Sequence, residues 1–264
     1  MVNLESFGLS SLFSVEGKVS LLRRRPASAN RLPGDVGSKQ KVDDFVTALE
    51  KLEDHVDVLI NCAGINRPWK PEASAFDGQH NDPDAVEKLL WHGLDDEALQ
   101  STYSINVNGV YFASTRMVPL LRKGSAPTVI VIASIAGLML QRQLRHCTVQ
   151  VCSHRDSHRK FNVGFRGFIR VNTVLPGIFP SEMTGVSAKP DLSDLIESNP
   201  QAAKAVARSP AGRAGSEKEI VGPCLLLASA AGGYMNNARL TIDGGRLMAA
   251  GSNDGVQMEE WTYV

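Results

Sequence analysis

Asp57-Val58-Leu59-Ile60-Asn61-Cys62-Ala63-Gly64 is the stretch that decides how this chain folds. A short apolar run closed by a glycine turn predicts a parallel strand buried on both faces, since a strand with one wet face would alternate. In an open α/β sheet, the C-terminal end of such a strand borders the ligand crevice. Asn61 offers an amide there, and Ala63 and Gly64 are small enough for backbone to approach a flat cofactor closely. Taken alone, the same residues fit a plain strand-to-loop exit equally well.

The neighbouring elements decide between the two. Gly17 to Leu22 predicts a first strand. Val42, Phe45, Val46, Leu49 and Leu52 recur at helical spacing, so a helix leads into the central strand. Strand, helix, strand is βαβ grammar. The polar insert Ile65 to Leu94 follows, within which Asp82-Pro83 caps and opens a short helix through Trp91. A long helix is predicted from Asp96 to Arg122, closed by Lys123-Gly124. Thr128 to Ser134 and Ile169 to Gly177 read as two more doubly buried strands, the first ending on a hydroxyl. Ser216-Glu217-Lys218-Glu219 is a capping box that opens the last helix, and Pro223 should kink that helix or delay its start. Ala238 to Ile242 makes a final strand, turned by Asp243-Gly244-Gly245.

Composition excludes several classes. The 264 residues suit one large domain or two small ones, and 43% hydrophobic residues supply a sizeable core. Lys+Arg 28 balances Asp+Glu 28, so nothing global points to nucleic acid or an acidic membrane. Four cysteines in this length make no disulfide framework, and a reducing compartment is the default. No basic-then-apolar leader is evident, and the longest apolar run, Val129 to Leu140, is too short to span a bilayer. The expectation is a soluble, cytoplasmic protein with no nucleic-acid or membrane partner.

Five motifs in order give the chain a family likeness. Asn61-Cys62-Ala63-Gly64 is similar to the Asn-Asn-Ala-Gly turn of the short-chain dehydrogenase/reductase family. Asn106-Val107-Asn108-Gly109 looks like its helix motif with a functional Asn, and Val131 to Gly137 like its catalytic-Ser strand. Asn172 to Gly177 resembles its Asn-x-x-x-Pro-Gly turn, and Thr241 to Gly245 its last strand. The resemblance implies a single α/β domain over residues 1–264, a doubly wound parallel sheet of Rossmann type, incomplete in its N-terminal half. It implies NAD(P) as cofactor, a small-molecule carbonyl or secondary alcohol as substrate, and a homo-oligomer. By the same resemblance Asp35 and Val36 would lie beside the adenine, and Asn61, Ala63 and Gly64 beside its ribose. Pro176, Gly177 and Ile178 would face the nicotinamide, and Thr184 would reach its carboxamide or the phosphate. Ser134 would hold the substrate oxygen, and Asn106 a water and the local helix geometry.

Two blocks depart from the family, 23–34 and 141–168. The family's first strand leads into Thr-Gly-x-x-x-Gly-x-Gly, whose glycines let bare backbone and a helix N-terminus cradle the pyrophosphate. Here Leu22 runs into Arg23-Arg24-Arg25-Pro26 with no such pattern. Point charges do not replace a preorganised nest of N–H groups. The family's proton donor is a Tyr roughly a dozen residues after the Ser, with a Lys four further on. A free phenol has a pKa of about 10, which a neighbouring Lys lowers toward working pH. This chain has no Tyr between Tyr111 and Tyr234, and Cys147 and Val151 stand where the pair would fall. Asp156 and Lys160 share the four-residue spacing but lie too far from Ser134, and His154 or His158 is a substitute donor by residue type alone. His146, Cys147, Cys152, His154 and His158 are zinc-ligand types whose spacing fits no standard finger, so no metal is expected. A mis-joined exon near Leu22 and a reading-frame slip between Gln141 and Phe168 would produce such blocks. The function expected is an oxidoreductase of this family impaired in both phosphate grip and proton donation. The alternative is a non-catalytic relative, or a mis-predicted gene product, that keeps the scaffold as a binding surface.

Overall fold

The computed structural model describes residues 20–21, 32–67, 69–76, 79, 82–138, 165, 168–181, 184 and 200–253. Most of both basic blocks lies outside the described residues, and with it Arg23, Cys147, Val151, His154, His158 and Lys160. Strands β1 (Ser20–Leu21), β2 (Val58–Asn61), β3 (Thr128–Ile132), β4 (Arg170–Pro176) and β5 (Arg239–Ile242) form one parallel sheet in sequence order. Its register sets Leu59 beside Val129 and Val129 beside Val171. Asn61, Val131, Thr173 and Arg239 make the row two residues nearer the C-terminal ends.

The sequence writes this sheet because its strands carry apolar residues at successive positions, and period 2 sends alternate ones to opposite faces. Leu59, Val129, Val131 and Val171 meet Val42 and Val46 of α1 (Lys39–Leu49) on one face, together with the helices of the 96–121 segment. Val58, Ile60, Ile130 and Val174 meet Leu227 and Ala228 on the other. Each fully buried aliphatic side chain in these layers contributes about 1.5–3 kcal/mol. Helices on both faces of a parallel sheet bear out the expected α/β architecture, and β1 lies at the sheet's edge. Ser38 caps α1, its Oγ accepting from Lys41 N at 3.3 Å. Leu52, which spacing places on the apolar stripe of α1, lies past the helix end and is 61% exposed.

The insert holds α2 (Pro71–Ser74) and α3 (Pro83–His92), the latter capped by Asp82. The single helix predicted from Asp96 to Arg122 is instead a broken column. It comprises α4 (Asp96–Tyr103), a π-helical turn (Ser104–Asn108), α5 (Gly109–Arg116) and α6 (Val118–Leu121). Pro119 explains the second break, because it has no N–H for the Thr115 carbonyl. Arg116 clamps α5 to α1, bonding Asp43 at 2.6 Å and both Glu50 oxygens at 2.8 and 3.1 Å.

Before β5 the chain forms α7 (Pro200–Ala207). The capping box forms as expected at α8 (Glu217–Ala228), which passes through Pro223 without interruption. A last helix, α9 (Arg246–Asn253), follows the Gly244-Gly245 turn. No helix among the described residues is long and apolar enough to cross a membrane.

Arg170 joins the start of β4 to the far end of α8. Its guanidinium donates to the carbonyls of Gly232 (2.7 Å), Met235 (3.2 Å) and Leu227 (3.0 Å). Burial lowers its pKa, though an arginine stays protonated. Beside it Asn172, 1% exposed, donates to Met235 O and accepts from Ala238 N, both at 2.9 Å. These bonds align β5 against β4.

Replacing Arg170 by Met strips three part-buried carbonyls of their donor, and unfolding in urea should show a loss of about 2–4 kcal/mol. The Arg213 guanidinium, with the Ser216 N–H and hydroxyl, holds the Glu219 carboxyl well below the usual carboxylate range. A depressed carboxyl stabilises fully above its unfolded value of 4.5 and loses that contribution as pH falls through its folded value. The Glu219→Gln chain should therefore melt with a shallower acid limb than the parent below pH 4.5.

Candidate functional site

In a parallel sheet all strands point one way, so their C-terminal ends share one edge. That edge collects Asn61 to Gly64 after β2, Ser134 after β3, Pro176 to Ile178 after β4 and Asp243 to Gly245 after β5. The residues singled out in the sequence therefore lie along one side of the sheet, although they span nearly two hundred positions of chain.

Asn61 leaves β2 toward α5, where its amide donates to Ser114 Oγ at 3.1 Å. Ala63 and Gly64 follow, half-buried. Asn106 then grips the chain just beyond them. Its Oδ1 accepts from Ile65 N and its Nδ2 donates to Ile65 O, both at 2.9 Å. The π-helical turn adds a residue to the helix at this point, which is where such insertions tend to aim functional groups. Both ends of the Asn106 amide are thus committed to main chain, making it a brace for the 61–65 turn.

Ser134 caps a 3₁₀ turn, Ile135–Gly137, with Oγ accepting from Ala136 N at 3.1 Å. That bond occupies a lone pair and leaves the hydroxyl proton to be donated. Gly177 N donates to Ile242 O at 2.9 Å, and a Cβ on Gly177 would stand 2.9 Å from Asp243 Cα. The close crossing of two chain turns therefore requires glycine there. Gly244 and Gly245 take φ of 63° and 84° under Ala211 and Pro210, a backbone region that L side chains avoid. Ile178 O accepts from Gly215 N, and its side chain packs on Ala202, Ala203 and Val206.

Asp35 sits at the entrance to α1. Its Oδ1 accepts from Gly37 N and its Oδ2 pairs with Lys41 Nζ, both at 2.7 Å. Val36 packs on Gly109 closely enough that a Cβ there would meet its Cγ2 at 2.9 Å. The Thr184 hydroxyl turns back to Phe179 O at 2.8 Å and accepts from Ser181 N at 3.0 Å, closing a local turn.

Sequence reasoning missed the cavity at the ends of β4 and β5. It holds about 80 Å³ between Ile178, Phe179, Val206, Ile242 and Arg246, room for two or three waters but not a dinucleotide. Arg246 is 6% exposed. The available signal was an arginine directly after the Asp-Gly-Gly turn, which loop residues alone do not explain. Among the described residues no cluster of metal-ligating side chains forms.

Three comparisons with known proteins agree with this fold. The family model described as Enoyl-(Acyl carrier protein) reductase matches residues 14–246. The short-chain dehydrogenase/reductase PhomF' of Diaporthe leptostromiformis is 28% identical over 231 residues, 84% of this chain and 75% of that protein. The L-rhamnose 1-dehydrogenase (NAD(P)(+)) of a Sphingomonas species is 27% identical over 217 residues, 80% of this chain and 73% of that one. Among solved structures, the Pseudomonas aeruginosa RhlG/NADP active-site complex superposes with a TM-score of 0.64. It is 26% identical, and the match covers 81% of this chain and 75% of that one.

Removing the Asn106 amide should loosen the 61–65 turn. Asn106→Ala is expected to cost about 1–3 kcal/mol in urea unfolding, because both polar groups of the Ile65 backbone lose their partners. Hydrogen exchange should show the Ile65 amide losing protection before those of β3.

Proposed function

The chain belongs to the short-chain dehydrogenase/reductase family, and on that footing we propose that it is an NAD(P)-dependent oxidoreductase for a carbonyl or secondary alcohol, with turnover strongly reduced. One arrangement carries this reading: the turns after β2, β3 and β4 border a common edge, with a hydroxyl at its centre and small residues on either side.

The cofactor fits one side of the site better than the other. Ala63 and Gly64 are small, half-buried residues suited to lie against a ribose, and the Gly177 turn presents main chain beside Ile178 for a nicotinamide. Asp35 and Val36 stand at the adenine end, with the Asp35 carboxylate already shared with Gly37 N–H and Lys41. Thr184 would reach the carboxamide or phosphate only after leaving its bond to Phe179 O. On the phosphate side, residues 22–31 carry four arginines and no glycine, so no nest of backbone N–H groups is written there.

NAD(P), when bound, supplies or accepts the hydride. The Ser134 hydroxyl hydrogen-bonds to the substrate oxygen and keeps its proton, while Ala136 N–H fixes the orientation of Oγ. Asn106 keeps the ribose-side turn in place through Ile65. The alkoxide formed on reduction still needs a proton, and with no Tyr from 112 to 233 that proton comes from solvent. Loss of a positioned general acid typically costs about 10² to 10⁴ in rate.

A second reading has its own support. Asp35, Asn106 and Thr184 all spend their polar atoms on this chain's own groups, as expected of a scaffold kept for packing or for binding a partner.

Calorimetric titration with NADPH and with NADH separates the two. Saturable binding of either, with turnover about 10² to 10⁴ below that of a relative holding the Tyr/Lys pair, supports the oxidoreductase reading. Ser134→Ala should then lower the residual kcat by roughly ten- to a hundredfold, the worth of one hydrogen bond to a developing charge. Absence of saturable binding leaves the scaffold reading.

A further inference from the structure

Two thiols share one face of the sheet beside the ribose-side turn. Along β2, Val58 and Ile60 belong to the layer under α8, whereas Leu59 belongs to the opposite layer and Asn61 reaches across to Ser114 of α5. Cys62 is the first residue past β2, and the strand's alternation carried on by that one residue turns it toward α8. Cys224, on α8, packs against the same layer as Val58 and Ile60. It lies one helical turn before Leu227 and Ala228. Since α8 connects two parallel strands, it runs antiparallel to them, and that turn brings Cys224 toward the C-terminal ends where Cys62 sits. Cys62 is exposed, Cys224 is half-buried, and neither is in a disulfide. Burial pushes the Cys224 thiol up to about 11, and the charge of a nearby Cys62 thiolate adds to the shift.

We propose that Cys62 and Cys224 form an oxidisable thiol pair that peroxide closes into a disulfide. Cys62, the exposed thiol, reacts first. Its thiolate sulfur attacks one peroxide oxygen, the O–O bond breaks, and hydroxide leaves a sulfenic acid on Cys62. The Cys224 sulfur then attacks the sulfenic sulfur. The S–O bond breaks, and the departing hydroxide takes the Cys224 proton as water. The pair loses two electrons overall, and one hydrogen peroxide is reduced to two waters.

A disulfide needs Cα atoms within about 7 Å, and backbone give beside either thiol helps to meet that limit. The sequence supplies it next to Cys224. Gly222 has no atom within 4 Å of where a Cβ would stand, and Pro223 gives the Glu219 carbonyl no helical N–H. The bridge ties the Asn61 to Gly64 turn to α8. It rests on the arrangement of β2 and α8 alone, and holds whether or not the chain turns over NAD(P).

The test uses the full chain, both as it stands and with Cys147→Ser and Cys152→Ser to remove other partners. After hydrogen peroxide, alkylation and digestion, mass spectrometry should find a Cys62–Cys224 linked peptide as the main oxidised product. The link should be cleaved by dithiothreitol and its yield should fall several-fold when oxidation is carried out in urea. In Cys224→Ser, dimedone should trap several-fold more sulfenic acid at Cys62. Cys62 carried on to sulfinic acid with Cys224 alkylated, both thiols alkylated, or links found only between two chains would each overturn the proposal.

Discussion

A parallel ladder covered on both faces has nowhere to present chemistry except at its strand ends, and this constraint shapes the whole molecule. Val58 to Ile60 and Val129 to Val131 are buried along their whole length, one set of side chains facing α1 and α5 and the other facing α8. Among the described residues, the polar groups of the candidate site lie past the strand ends. The N-terminal edge receives structural polarity, in Arg170 and Asn172, which hold β5 and the end of α8 in place. The C-terminal edge receives the turns and hydroxyls of the candidate site.

At that edge the side chains divide by what their polar atoms already do. Asn106 is fully engaged with Ile65, and the Thr184 hydroxyl is engaged with its own loop. Ser134 keeps a proton to give because the bond that fixes it among the described residues is accepted rather than donated. The family's reaction asks for more than this: a preorganised grip on phosphate and a proton donor tuned to working pH. In the sequence both fall to the blocks 23–34 and 141–168, which carry neither the family's glycine pattern nor its Tyr/Lys pair. The comparisons speak to the scaffold, since more than four-fifths of the chain aligns with a short-chain dehydrogenase/reductase.

The long helix through Asn106 shows where local rules give way. Spacing alone predicts unbroken helix from Asp96 to Arg122. An amide that must bond both polar groups of a residue forty-one positions away instead coincides with a π-helical turn, and Pro119 ends α5 at Arg116. Tertiary demands of this kind leave no local signature, because the partner lies far off in the sequence.

The sequence by itself determined what depends on near neighbours. Apolar runs ended by glycine wrote the strands, spaced apolar residues wrote α1, and Ser216 with Glu219 wrote the start of α8. The order of five short motifs named the family, since order along the chain is what a sequence records directly. Only the tertiary structure decided which polar atoms are committed and which remain available. It placed the Asn106 brace on Ile65, turned Arg170 onto three carbonyls and shaped the cavity beside Arg246. It also packed Cys224 against the layer that holds Val58 and Ile60 of β2. Each of these joins residues tens to more than a hundred positions apart, and a hydrogen bond or buried contact depends on distance in space, which pattern along the chain does not encode.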